Sequence, residues 1–276
     1  MRLDAHHHVW DDSVRDAVWA EPYPVLHRAF TLDDLAPSLA AHHLDRSVLV
    51  QTRSSYDETL ELLAEAGRRS TVHGVVGWAD LAAPDLAGRL DQLAEAPGGD
   101  RLVGVRHQVE DEPDQQWLSR PDVGAGLAEL ASRGVTYDLL VRLDQLPSAV
   151  RAARALPALR FVLDHAGKPA IATGSSADWF RGIEDLAALP NCAVKLSGLV
   201  TLAGPRWRVA DLEPYADHVL AQFGADRVMF GSDWPVCLIA AGYDEVVAAA
   251  EALTSGLSPA ERALVFGGTA LAWYAR

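Results

Sequence analysis

Hydrophobic and polar positions divide the chain into two alternating kinds of segment. Short runs rich in apolar and β-branched residues predict eight strands, at 2–10, 47–52, 72–81, 101–108, 136–142, 160–166, 192–198 and 227–233. Longer Ala/Leu-rich stretches with a helical period lie between them, near 33–43, 57–69, 85–96, 122–133, 144–155, 178–189, 211–224 and 243–254. Thr31 and Ser54 precede two of these stretches as typical helix N-caps. The tail 269–276 is predicted to form one or two final helical turns.

This alternation predicts parallel βαβ units joined by right-handed crossovers. Eight such units in 276 residues predict an α/β fold, the (β/α)8 TIM barrel. A doubly wound open sheet is the alternative, although it usually contains fewer strands and would separate the first strand from the last. No linker, charge block or low-complexity run divides the sequence, so residues 1–276 are predicted to form a single domain.

Composition limits the class of function more than it identifies one. A formal net charge of −14 argues against nucleic acid or an anionic membrane as partner, because both require a cationic face. Cys192 and Cys237 are predicted to be unpaired thiols, and the sequence shows no signal peptide or membrane span. We therefore expect a cytoplasmic protein, for which a homodimer is an ordinary possibility.

Two histidines share one face of the first predicted strand. His6 and His8 are two residues apart, so their side chains should point to the same side while His7 points away. The last predicted strand ends in Asp233, directly before Trp234. In a closed barrel the first and last strands are neighbours. Two imidazoles and one carboxylate then converge at one mouth, an arrangement suited to holding a metal ion, a water or both.

Polar side chains also lie at the ends of most other predicted strands, where the active sites of such barrels are found. Buried charges without partners are costly, so a set of this size indicates function. Taken singly, His165 and His107 are also explained as hydrogen-bonded core residues, Asp233 as a turn former and Lys195 as a buried ion-pair partner. The set comprises Gln51, Arg53, Trp78, Asp80, Arg106, His107, Gln108, Asp138, Arg142, Asp164, His165, Lys195 and Ser197.

Five motifs follow one another along the whole chain: DAHHHVW at 4–10, GVRH at 104–107, DHAGKP at 164–169, KLSGL at 195–199 and FGSDWPVC at 230–237. With them the chain resembles the lactonase branch of the amidohydrolase superfamily, most closely the L-fuconolactonase-like sugar-lactone hydrolases. The resemblance implies a (β/α)8 barrel that hydrolyses a lactone to its aldonic acid. It places His6, His8, His165 and Asp233 at the metal- and water-handling positions.

The chain departs from the two-metal members of that superfamily in two strands. The fifth predicted strand, 136–142, lacks their histidine, and the fourth, 101–108, lacks their carboxylated lysine. The resemblance therefore implies either one divalent ion, zinc or manganese, held by His6, His8, His165 and Asp233, or a metal-independent enzyme.

The predicted reaction is the opening of a small sugar lactone by water. Asp233 is the expected base, because a carboxyl with a reference pKa of about 4 is ionised at neutral pH. His6, His8 and His165 are expected to stabilise the oxyanion, directly or through an ion. His107 is the candidate acid for the leaving oxygen. Substrate-binding groups are expected to be hydrogen-bonding residues and flat apolar walls, namely Gln51, Arg53, Arg106 and Lys168 with Trp10, Trp78 and Trp234.

Two other functions are compatible with the same residues. A metal-dependent decarboxylase or C–C hydrolase of the superfamily would share the His-x-His and late-Asp pattern, and would retain a firmly bound metal. A non-catalytic sugar-binding barrel would use the same polar strand ends for affinity alone.

Overall fold

Eight parallel strands in chain order form a single sheet in the computed structural model, which describes residues 1–11, 20–174 and 177–275. This order confirms the predicted (β/α)8 barrel. The strands are β1 (Leu3–His7), β2 (Arg46–Val50), β3 (Val72–Gly77), β4 (Leu102–Gln108), β5 (Thr136–Leu140), β6 (Phe161–Leu163), β7 (Cys192–Leu196) and β8 (Val228–Phe230).

Helices follow the strands and cover the outside of the sheet. They are α1 (Leu32–Ala41), α2 (Tyr56–Gly67), α3 (Leu86–Glu95), α4 (Pro121–Ser132), α5 (Leu146–Ala155), α6 (Ala177–Ala187), α7 (Leu199–Ala203), α8 (Val209–Phe223), α9 (Tyr243–Leu253), α10 (Pro259–Ala263) and α11 (Thr269–Trp273). Within the described residues, no helix has the length and apolar character needed to cross a membrane.

Most predicted boundaries agree with the structure, and the exceptions are local. Thr31 caps α1 as predicted, but Ser55 rather than Ser54 caps α2 by accepting a hydrogen bond from the backbone N–H of Glu58. Strands β1, β3, β6 and β8 each end three or four residues before the predicted ends at 10, 81, 166 and 233. After β6 the chain turns through His165 and Ala166, which have left-handed backbone conformations. The predicted helical tail is observed as α11, and Arg276 lies outside the described residues.

The barrel closes between β1 and the segment that follows β8. The backbone N–H of Asp233 donates to the carbonyl of His6 at 2.8 Å, and the N–H of His8 donates to the carbonyl of Trp234 at 2.7 Å. The buried carboxylate of Asp4 adds a third link by accepting from the N–H of Ser232 at 2.8 Å. The first and last motifs are therefore adjacent in space, as predicted.

The opposite end of the barrel is covered by the C-terminal helix. Tyr274, just after α11, is fully buried in a cluster that also contains Val48, Val76 and Met229. Its hydroxyl donates to the carboxylate of Asp138 on β5, with oxygen–oxygen distances of 2.8 and 2.9 Å. In the described part of the chain, side chains therefore fill the barrel between the C-terminal helix and the polar residues at the strand ends, and no open channel remains.

Candidate active site

A cavity of about 220 Å³ opens at the C-terminal ends of the strands. This volume is below the roughly 300–1,000 Å³ of typical drug-sized pockets and suits a single small ring. Charged and imidazole side chains line part of the cavity, namely His8, Arg106, Glu110, Asp111, His165, Lys168 and Asp233. Apolar side chains form the rest of the wall, among them Trp10, Leu140, Leu202 and Val236.

His6 on β1, His8 directly after it and Asp233 after β8 meet at the base of this cavity. The Nε2 atoms of His6 and His8 are 3.1 Å apart, and they lie 3.7 and 3.6 Å from Oδ1 of Asp233. His7 points away and contacts the hydroxyl of Ser47 at 2.9 Å. The register of β1 against β2 shifts between Asp4 and His7, which marks an irregularity in the strand directly beneath the site.

Hydrogen bonds at Nδ1 fix the orientation of the His8 and His165 rings. Nδ1 of His8 lies 2.9 Å from the carbonyl of Val50, which can only accept, so Nδ1 carries a proton and Nε2 is turned toward the site. Nδ1 of His165 lies 3.0 Å from the hydroxyl of Ser197, and its other nitrogen is left for the site. Partners of this kind orient histidines that bind metals or substrates.

Asp233 and His165 both have left-handed backbone conformations, with φ values of 58° and 51°. Such values are uncommon outside glycine and tend to occur where function requires a particular side-chain direction. Neighbouring glycines make the space. A Cβ on Gly231 would lie 2.7 Å from Cβ of His6, and a Cβ on Gly198 would lie 2.9 Å from Nδ1 of His165. The glycines of the last two motifs are therefore explained by close packing against the histidines.

Electrostatics keep Asp233 ionised and two of the imidazoles neutral. Burial alone would raise the pKa of the Asp233 carboxyl, but interactions with His165 and His8 outweigh burial and lower it below its usual value. Burial lowers the pKa of His165, and it lowers that of His6 much further, aided by the positive charge of Lys195. At neutral pH the site thus offers a carboxylate base beside neutral imidazoles.

A buried ionic network supports His6 from below. The Lys195 ammonium lies 2.5 Å from Asp138 Oδ2, 2.9 Å from Asp164 Oδ1 and 3.0 Å from His6 Nδ1. Arg106 Nη1 donates to the other oxygen of Asp164 at 2.9 Å. Because an ammonium can only donate, Lys195 makes Nδ1 of His6 an acceptor. The opposite nitrogen of His6, Nε2, lies 3.1 Å from Nε2 of His8 and 3.5 Å from Nη1 of Arg106.

The donor set fits a single divalent ion. Ligand atoms of His6, His165 and Asp233 all lie within 4.8 Å of one another, and nitrogen and carboxylate donors suit zinc. Nε2 of His8 is an adjacent further donor. With Nε2 of a neutral His6 bound to an ion, the ring proton would lie on Nδ1, where Asp164 Oδ1 at 3.4 Å is an acceptor. The residues present therefore accommodate a divalent ion.

Arg106 and Lys168 of the predicted substrate-binding set line the cavity, as does Trp10, whereas Gln51 and Arg53 do not. Gln51 is fully buried, and both its side-chain and backbone oxygens accept from Arg106 Nη2, so it positions that guanidinium. Arg53 is half-exposed and lies 3.6 Å from Glu58, beside a neighbouring cavity.

His107, Trp78 and Trp234 also lie outside the cavity lining. Nδ1 of His107 accepts from the indole N–H of Trp78 at 3.0 Å, its Nε2 contacts Glu112 at 2.8 Å, and its ring stacks on Trp117. Both nitrogens of this candidate acid are therefore engaged away from the cavity. The Trp234 ring packs edge-on against the buried Phe30.

Three groups that shape the site have no role in the mechanism predicted from sequence. Lys195 and Asp138 belong to the predicted set of strand-end polar residues, but the contacts of Lys195 with both Asp138 and His6 depend on three strands meeting. Glu110 follows β4 and forms an ion pair with Lys168, which follows β6. The acidic run after the GVRH motif is the available signal for Glu110, since loops that follow barrel strands carry active-site groups.

Comparison with known proteins places this geometry among amidohydrolases. The amidohydrolase family model matches residues 3–276. An L-fucono-1,5-lactonase from Burkholderia multivorans is 42% identical, with 100% of this chain and 96% of that protein covered. Its counterpart from Burkholderia ambifaria is 37% identical, with 99% and 95% covered. A solved amidohydrolase structure from Burkholderia multivorans with bound zinc has a TM-score of 0.93 and 43% identity, covering 100% of this chain and 99% of that one.

Proposed function

This chain belongs to the amidohydrolase family, and we propose that it is a lactonase that opens L-fucono-1,5-lactone or a closely related sugar lactone with water activated by Asp233. The observation that carries the proposal is the Asp233 carboxylate, held within 4 Å of the Nε2 atoms of His6 and His8 and lining a cavity the size of one sugar ring. The substrate class is that of the two Burkholderia lactonases.

Asp233 performs the two proton transfers in this proposal. Its carboxylate accepts a proton from the attacking water while the water oxygen bonds to the lactone carbonyl carbon. The ring C–O bond then breaks, and the same carboxyl returns the proton to the leaving alkoxide. The lowered pKa of Asp233 ensures that the base form predominates at neutral pH before each turnover.

The surrounding side chains stabilise the charge that develops on the carbonyl oxygen. The positive charges of Arg106 and Lys168 line the same cavity, and His8 and His165 lie beside Asp233. Removing one such donor typically costs about 10²–10³ in rate. A divalent ion held by His6, His165 and Asp233 would supply Lewis-acid polarisation of the carbonyl and a more acidic water.

The test is acid release, followed by a pH indicator, from a panel of 1,4- and 1,5-sugar lactones with L-fucono-1,5-lactone as the reference. Asp233→Asn should fold normally and lose about 10²–10⁴ of kcat, the usual contribution of a positioned base. A parallel reaction without enzyme gives the spontaneous hydrolysis to be subtracted. Asp178→Asn, which removes an exposed carboxylate paired with Arg181, is the matched control. Absence of turnover of every lactone, with zinc or manganese supplied, would reject the proposal.

A further inference from the structure

The two cationic side chains that line the cavity are each paired with a carboxylate. Arg106 contacts Asp164 at 2.9 Å, so its charge is balanced from behind the wall. The ammonium of Lys168 forms an ion pair with Glu110, and both of these side chains line the cavity. The side chains of Lys168 and Glu110 are 29% and 23% exposed, so the pair is partly shielded from solvent.

Backbone contacts hold both members of the Lys168–Glu110 pair in place. The guanidinium of Arg142 donates to the carbonyl of Glu110, and Gln145 donates to the carbonyl of the preceding residue at 2.8 Å. Lys168 has a left-handed backbone, with φ at 52°, and its N–H donates to the carbonyl of His165 at 2.9 Å. The pair is therefore built into the wall by three separate loops.

The side chains that line the cavity provide no surplus positive charge. Among the charged side chains that line it in the described part of the chain, Arg106 and Lys168 face Glu110, Asp111 and Asp233. A lactone bearing a carboxylate would meet more negative than positive charge, and its desolvation would go uncompensated. A neutral polyol can donate hydroxyls to Glu110 and accept from Lys168.

We propose that Glu110 determines specificity by neutralising Lys168, and that it restricts the site to uncharged lactones and rejects anionic ones. This inference rests on the proposed lactonase function and narrows its substrate class. Sites that discriminate between partners often use such a repulsive group as well as attractive ones.

The experiment compares two lactones that differ in one group. D-Glucono-1,4-lactone carries a hydroxymethyl group where D-glucaro-1,4-lactone carries a carboxylate. Hydrolysis of both is measured with the wild-type enzyme, and binding of both is measured calorimetrically in the Asp233→Asn background, where turnover is slow. For kcat/KM and for the association constant, the value for the anionic lactone is divided by the value for the neutral lactone, and this ratio is compared between variants.

Glu110→Gln should raise this ratio about tenfold or more, because it leaves Lys168 with an unbalanced charge. Tenfold is a conservative part of the Coulomb interaction between unit charges a few ångströms apart at an effective dielectric constant of about 20. Lys168→Gln should shift the ratio in the opposite direction. Glu251→Gln is the control, because it removes a carboxylate from an ion pair with Arg2 and neither residue lines the cavity. It should leave the ratio unchanged.

The two variants of opposite sign keep the inference testable if one of them folds poorly. An unchanged ratio in a folded Glu110→Gln or Lys168→Gln protein would overturn it, as would failure of both lactones to bind. If no lactone in the panel is hydrolysed but the binding ratio shifts as expected, the specificity role stands and the lactonase proposal fails. If lactones are hydrolysed but the ratio does not shift, the lactonase proposal stands and the specificity role fails.

Discussion

Replacing Lys195 with methionine should unbalance the two carboxylates that it joins beneath the histidines. Its ammonium lies 2.5 Å from Asp138 and 2.9 Å from Asp164, and all three side chains are fully buried. Methionine occupies a similar volume, so the change removes charge while largely preserving packing. Breaking a buried ion pair by removing one partner costs about 3–5 kcal/mol, because the remaining charge stays out of water.

The structure favours the lower part of this range. Asp164 still has Arg106 as a cationic partner, so the charge that is left without a partner is mainly that of Asp138. Burial raises the pKa of Asp138 to about 6 even with Lys195 present, and without the ammonium this carboxyl should take up a proton at pH 7. Protonation removes the buried charge, so we expect Lys195→Met to lower the free energy of unfolding by about 3 kcal/mol.

Urea unfolding at pH 7, followed by circular dichroism and tryptophan fluorescence, measures this loss as a change in midpoint at constant slope. Lys195→Met/Asp138→Asn should recover about 1–2 kcal/mol relative to the single variant, since asparagine still accepts from Tyr274 without a charge. Arg133→Met, which breaks a surface pair with Asp91, should cost under about 1 kcal/mol. A loss below about 1 kcal/mol for Lys195→Met, or a double variant no more stable than the single one, would refute the reasoning.

Two further predictions concern the histidines. Ser197→Ala should weaken zinc binding about 10–100-fold in calorimetric titration, because the outer nitrogen of His165 loses its partner; unchanged affinity would exclude His165 as a ligand oriented by Ser197. His107→Gln should lower the free energy of unfolding by about 1–3 kcal/mol while changing kcat less than about threefold, since its nitrogens serve Trp78 and Glu112. A loss of kcat as large as that of Asp233→Asn would instead favour His107 as the leaving-group acid.

The barrel and the central site are accessible from sequence because both depend on local patterns. Each strand is a short apolar run between helical stretches, so its position follows from periodicity. The convergence of His6, His8 and Asp233 then follows from the cyclic order of a barrel and from strand geometry, without knowledge of any side-chain contact. The same reasoning places Arg106 and Lys168 at the strand ends that surround the cavity.

The remaining features depend on contacts that no local pattern encodes. Whether a strand-end residue faces the cavity or its support depends on small shifts of register and loop path, as Gln51 shows by holding Arg106 from within the wall. His107 follows Arg106 directly, yet its ring lies against Trp117 because alternate residues of a strand face opposite sides. The pairing of Glu110 with Lys168 joins loops 58 residues apart in sequence.

The closure of the barrel through the two ends of the chain has a consequence for biosynthesis. Asp4 and Ser232 are joined although 228 residues separate them, and at roughly 5–20 residues per second a ribosome needs on the order of 10–45 s to make that interval. Throughout this time β1 lacks its closing partner, and its exposed edge is a site for mispairing. His6 and His8 are therefore synthesised long before Asp233, so a chain arrested before the final motif lacks the carboxylate that completes the site.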